Sequence, residues 1–180
     1  MSDQDFMRAA LDLAREAQER GEVPVGAVVV RDGKIIARAA NRNITDNDPS
    51  GHAEIQALRE AGQVLGNHRL TGCSLFVTIE PCAMCAGALV HARLARLIYG
   101  ASDPKTGAVQ SVMQVLNHPA LNHRMEVTAG VLAQECSAIL QSFFRERRTA
   151  KEAKKSTICR RSRSDHLPIV FRDAERCVSG

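Results

Sequence analysis

Tryptophan is absent from these 180 residues, tyrosine occurs once and phenylalanine five times. Aliphatic side chains must therefore fill whatever interior the chain builds. No apolar run approaches the roughly 20 residues that span a bilayer, so no membrane association is expected. The opening residues Met1-Ser2-Asp3-Gln4-Asp5 are acidic where a secretory signal would be basic and then apolar. Evenly dispersed cysteines are missing as well. Of six, two form a tight pair, Cys82-Ala83-Met84-Cys85, a spacing that in a reducing compartment favours metal or redox chemistry over structural bridges. A disulfide framework is thereby excluded, and the cytoplasm is the expected compartment.

What is present suits one ordinary domain. Hydrophobic residues make up 44% of the chain, well above disordered compositions, and the length allows a sizeable core with a tail. The charge is unevenly placed. From Arg145 onward, eleven basic and five acidic residues leave a net +6, so the remainder, out of a total of +4, carries −2. A near-neutral body with a basic arm fits an anionic partner such as nucleic acid, although a solvated tail has the same composition. The expected division is a domain over 1–155 and a basic C-terminal extension over 156–180. An ordered RNA-binding segment and an unstructured tail are both open for the extension.

Apolar spacing predicts an amphipathic helix over 5–20, with Phe6, Ala9, Ala10, Leu13 and Ala17 on one side and Gly21 as its stop. Asp32-Gly33 between the apolar runs 25–30 and 34–38 predicts a hairpin. A strand with no polar alternation, such as Val25 to Val30, is expected to be covered on both faces. A polar loop over 41–50 should lead into a helix over about 51–61, followed by a strand at 75–79. Pro81 then opens a helix from about Cys82 to Arg93. A strand at 97–100, a short helix at 109–116, a strand near 126–128 and a last helix over 132–154 complete the order. Strands alternating with helices predict an α/β sandwich with one mixed sheet.

Two segments carry chemistry. His52-Ala53-Glu54 and Pro81-Cys82-Ala83-Met84-Cys85 each sit at a predicted helix start. Cysteines three apart project to the same side, so both sulfurs can reach one ion, and a helix N-terminus favours their thiolate form. His52, Cys82 and Cys85 make three ligands for Zn2+. Structural zinc sites are normally closed by four protein ligands, whereas three leave a position for water that zinc acidifies. Glu54, two residues from one ligand, is then free to move protons. Alone, a Cys-x-x-Cys could be a redox pair or half of a four-cysteine clip, and a His-x-Glu carries little information. Their combination is far more specific. Cys73 and Cys136 read as small buried residues, Cys159 and Cys177 as incidental, and His68, His91 and His166 as non-ligands.

With these motifs on the page, the sequence resembles the bacterial tRNA-specific adenosine deaminases of the cytidine deaminase-like superfamily. The likeness runs from about Phe6 to Arg148. It covers Glu22-Val23-Pro24-Val25-Gly26-Ala27-Val28, Asn41-Arg42, Asp48-Pro49-Ser50-Gly51-His52-Ala53-Glu54-Ile55 and Thr78-Ile79-Glu80-Pro81-Cys82-Ala83-Met84-Cys85. It continues through Asp103-Pro104-Lys105-Thr106-Gly107, Leu116-Asn117-His118-Pro119, Asn122-His123-Arg124 and Phe143-Phe144-Arg145. The resemblance implies a three-layer α/β/α fold, with a five-stranded mixed sheet whose fourth and fifth strands run parallel and are joined by a helix. It also implies a homodimer, one Zn2+ per subunit and inosine formation at the wobble position of a tRNA anticodon stem-loop. Asn41 would then bond the adenine, Val25 and Ile79 would wall the pocket, and Glu54 would shuttle protons. Asp103, Lys105 and Asn122 would hold sugar and phosphate, and Phe144 and Arg147 would touch the anticodon loop. Two rivals share parts of the pattern: a deaminase of free bases or nucleosides, and a zinc-stabilised RNA-binding module without catalysis.

Overall fold

The computed structural model describes residues 1–164, with side chains through Glu152. Its elements run α1 (Asp3–Glu19), β1 (Gly26–Arg31), β2 (Lys34–Ala40), α2 (Asn43–Asp46), α3 (Ala53–Leu65), β3 (Ser74–Ile79), α4 (Ala83–Ala92), β4 (Arg96–Ala101), β5 (Glu126–Ala129) and α5 (Ala133–Ser164). The strand order is β2-β1-β3-β4-β5. β1 pairs antiparallel with β2 and β3, while β3, β4 and β5 are mutually parallel. This is the mixed five-stranded sheet of the cytidine deaminase-like fold.

Period-two alternation sends the core strands' side chains to two separate apolar layers. Ala27, Val29, Leu75, Val77, Leu97 and Tyr99 pack on the face covered by Ala53, Ala57 and Ala61 of α3 and by Ala86 and Leu89 of α4. Val28, Val30, Phe76 and Ile98 face Phe6, Met7, Ala10 and Leu11 of α1, and Cys136 at the start of α5. Both faces are covered, which is why β1 reads as unbroken apolar sequence. A β-carbon at Gly26 would run into the backbone of Ala10 and Ala14, so the glycine lets α1 lie directly on β1. Ser2 and Asp5 close a capping box ahead of α1, starting it two residues earlier than its apolar spacing indicates.

Three elements differ from the sequence expectation. The polar stretch 41–50 contains α2, whose N-terminal N–H groups are capped from a distance: Glu22 accepts from Ile44 at 3.2 Å and from Thr45 at 2.7 Å. The expected helix at 109–116 is replaced by turns and a 3-10 turn at Val115–Asn117, so no α-helix joins the parallel strands β4 and β5. The N–H groups of Val109, Gln110 and Ser111 are bonded to the Glu80 carboxylate, and this diverts donors that a helix would need. The final helix continues to Ser164, past the expected end at Lys154. The chain forms two compact units, one over 1–143 and a second from Phe144 onward. Most of the proposed 156–180 extension lies outside the described residues. No described helix is long and apolar enough to cross a membrane.

Candidate active site

Two helix N-termini build the site. His52 is the N-cap of α3 and Cys82 the N-cap of α4, both with extended backbone. Neither side chain caps its own helix, which leaves imidazole and thiol free to face each other. Cys85 occupies the third position of α4, on the same side as the N-cap residue. His52 Nδ1 lies 3.6 Å from Cys82 Sγ and 3.4 Å from Cys85 Sγ, and the three ligand atoms all fall within 4.8 Å of one another.

Zinc bonds of about 2.0–2.1 Å to nitrogen and about 2.3 Å to sulfur, at tetrahedral angles, put these ligand atoms about 3.5 Å apart. The observed spacing fits that donor set. The electrostatics fit as well. Hydrogen bonding from Cys85 and then His52 lowers the Cys82 pKa to about 4, despite burial. The hydrogen bond with Cys82, reinforced by burial, pushes the Cys85 thiol up, and the bond to Cys82 raises the His52 imidazole. The hydrogen bonds among the three side chains favour thiolate at Cys82, and a divalent ion would take the place of the protons they share.

Glu54 lies in the first turn of α3 and is 3% exposed. Burial raises its pKa above the usual carboxylate value. Asn41, also buried, accepts the Ala53 N–H through Oδ1 at 2.9 Å. Val25 is buried at the end of the loop entering β1, and Ile79 is half-buried at the end of β3. The sequence-predicted metal ligands thus converge on one cluster, and Asn41 is tied to the helix that bears His52 and Glu54.

The expected RNA-contacting residues are placed differently. Asp103 Oδ1 accepts the N–H groups of Lys105 at 2.9 Å and Thr106 at 3.2 Å, and Oδ2 accepts the Thr106 hydroxyl at 2.6 Å. Its carboxylate therefore shapes the turn that presents exposed Lys105. Exposed Asn122 is held through its backbone, Arg93 donating to its carbonyl at 3.0 Å. The adjacent His123 ring nitrogen Nε2 donates to the Leu94 carbonyl at 2.6 Å. Phe144 and Arg147, both exposed, lie in the second unit. Cys73 and Cys136 are buried as expected, and His68 and His91 are exposed. A cleft of about 700 Å3 lies elsewhere between α3 and α4, against Leu58, Leu70, Ala88 and Ala92; His52, Cys82 and Cys85 do not line it.

Sequence reasoning missed two buried carboxylates, Glu22 and Glu80. Glu80 binds backbone N–H groups of the loop that follows β4, and Glu22 binds those in α2. The available signal was an acid standing next to the β3 apolar run, directly before Pro81-Cys82, and another close before the β1 run.

A mixed five-stranded sheet carrying His/Cys/Cys at two helix starts, with a spare buried glutamate, defines a deaminase-type centre. The MafB19-like deaminase model matches residues 1–148. The tRNA-specific adenosine deaminase of Haemophilus influenzae is 48% identical over 157 residues, 87% of this chain and 91% of that protein. A solved structure from work on A-to-I editing by tRNA:A34 deaminases superposes with a TM-score of 0.74 at 49% identity, covering 76% of this chain and 99% of the other. The guanine deaminase of Nitrosomonas europaea gives a TM-score of 0.70 at 25% identity, covering 79% and 84%. The chain belongs to the deaminase family, and within it to the bacterial tRNA-specific adenosine deaminases.

Proposed function

We propose that this protein is a zinc-dependent enzyme that hydrolyses adenosine to inosine at position 34, the wobble position, of a tRNA anticodon loop. The observation that carries the reading is the three-ligand set His52, Cys82 and Cys85, with the uncoordinated carboxylate Glu54 buried one residue along α3 from the His52–Ala53 pair. A bound zinc supplies Lewis acidity that makes hydroxide available from water near neutral pH. The Asn41 amide, fixed by Ala53, orients the base, and Val25 and Ile79 exclude water from its faces. Glu54, with its raised pKa, takes the proton released by the attacking water and delivers it to the ring nitrogen beside C6. Oxygen replaces the exocyclic amine at C6: the proton left on the added hydroxyl passes through Glu54 to the amine, the C–N bond breaks, and ammonia leaves. An anticodon loop offers splayed bases at little unstacking cost. Lys105, Asp103 and Asn122 contact sugar and phosphate of the flanking nucleotides in this reading, and Phe144 and the exposed arginines of α5, Arg145, Arg147 and Arg148, contribute RNA contacts of their own. Thiolate ligands suit a reducing cytoplasm. The proposed assembly is a homodimer with one zinc per subunit.

The test is to incubate the zinc-loaded protein with an anticodon stem-loop bearing adenosine at the wobble position and, separately, with free adenosine, cytidine and guanine. Inosine in the stem-loop alone supports the reading. Turnover confined to the free compounds would overturn the substrate and favour the chemistry of the guanine deaminase neighbour.

A further inference from the structure

The proposed chemistry gives no task to Glu80, although this side chain is 2% exposed and stands two residues before a ligand. Its Oε1 accepts the N–H groups of Val109 at 3.1 Å, Gln110 at 2.7 Å and Ser111 at 2.9 Å. Its Oε2 accepts the Asp103 N–H at 3.1 Å and the Ser111 hydroxyl. Five donors converge on one carboxylate, and none of them is a cation. Around it, Ala108 N–H donates to Pro81 O at 2.8 Å, and Cys82 forms an antiparallel bridge with Gly107. A β-carbon at Gly107 would stand 2.5 Å from the Glu80 carboxylate, so the loop passes over it at van der Waals limit.

No regular element holds this loop, since only the 3-10 turn interrupts the connection between β4 and β5. The same loop carries Asp103, whose carboxylate shapes the turn at Lys105. The segment bearing Cys82 and the loop bearing Lys105 are therefore fastened to each other through one buried anion, and hydrogen bonds to an ion are about twice as strong as neutral ones.

We propose that Glu80 is a positioning residue for polynucleotide binding. It sets the 103–111 loop in register with the Cys82 segment, so that the target base and its flanking nucleotides are held at one fixed spacing. This inference rests on the RNA substrate proposed above.

The experiment is a steady-state comparison on the anticodon stem-loop, with zinc content measured for each protein. Glu80→Gln keeps the shape but offers one acceptor oxygen to two sets of donors, so one set is left unpaired. It should raise KM about tenfold and leave kcat within about twofold, with zinc still stoichiometric. Ser111→Ala, at an exposed residue, removes one donor and keeps the protein readable if the glutamine variant fails to fold; it should raise KM about threefold with kcat unchanged. Unchanged KM in Ser111→Ala and in any folded Glu80→Gln protein would overturn the proposal. So would a fall in kcat at constant KM, or loss of zinc, because Glu80 would then be serving the chemistry or the ligand Cys82. Wild-type protein inert on the stem-loop removes the functional reading itself, and the positioning role with it.

Discussion

Glu54 and Glu80 are both glutamates buried to within 3% of full exclusion, at the ends of elements that meet at the same site. Their acidities move in opposite directions. At Glu54 burial dominates and the pKa rises. At Glu80 burial also pushes upward, but the Ser111 hydroxyl and the N–H groups of Gln110, Ser111 and Asp103 outweigh it and bring the pKa to about 2. Burial alone sets the cost of charge; the number of donors decides whether the protein meets that cost. A carboxylate short of donors exchanges its proton readily and suits proton transfer. One surrounded by donors stays ionised and acts as a fixed strut.

Removing the first of the pair gives the largest expected effect. Glu54→Gln should lower kcat by about a thousandfold, in the range of a lost general acid–base group, while zinc content, stem-loop affinity and melting temperature stay near wild type. Substantial inosine formation by this variant would dissolve the distinction, because Glu54 would then be one more structural acid. Next comes the cluster that gives Glu54 something to act on. Cys85→Ser replaces a soft ligand with a poor one, and zinc measured by mass spectrometry should fall from one per chain to near zero. Stripping wild-type protein with a chelator and restoring zinc should remove and return activity. Stoichiometric zinc in the serine variant would mean that Cys85 is not a ligand.

The two glutamates also differ in how far the sequence disclosed them. His52, Glu54, Cys82 and Cys85 are legible because their geometry is local: N-cap and first-turn positions fix which side chains share a side, and Pro81 marks where α4 begins. The five strands and their apolar layers are legible for a similar reason, since alternation along a strand is a property of neighbours. Glu80 and Glu22 work over distances of 22 to 31 residues, and no local pattern reports such a pairing. Their invisibility explains two of the three departures from the expected fold. Without Glu80, residues 109–116 read as helical; with it, three N–H groups leave the helical pattern. Without Glu22, 41–50 reads as loop; with it, α2 has a cap. The engagement of the Asp103 carboxylate with Lys105 and Thr106 is equally hidden until the turn is seen.

A milder test presses on Glu80 from outside. Gly107→Ala places a methyl group against its carboxylate and the Asp103 carbonyl, and backbone or side chain has to give. A loss of about 1–3 kcal/mol is expected from denaturant midpoints, typical of overpacking, with zinc retained. An alanine variant as stable as wild type would show that the loop is loosely held and that Glu80 is less of a strut than its five donors indicate.

The smallest expected effect concerns Glu22, which follows the rule of Glu80 away from the metal ligands. Burial raises its pKa, but the N–H and hydroxyl of Thr45 and the N–H of Ile44 outweigh this and leave it below the ordinary 4.5. A carboxyl group more acidic in the folded chain than in the unfolded one stabilises the fold above its unfolded pKa, and that contribution fades as pH falls through the folded value. Glu22→Gln keeps one carbonyl oxygen and leaves either Thr45 or Ile44 without an acceptor, so at pH 7 it should cost about 1 kcal/mol in urea unfolding. At a pH low enough for the wild-type carboxyl group to take up its proton, below the ordinary 4.5 because the folded value is lowered, the gap between the two proteins should narrow. A gap of equal size at both pH values would show that Glu22 acts through its shape and not its charge, and the donor-counting rule drawn from Glu54 and Glu80 would not extend to the loop at α2.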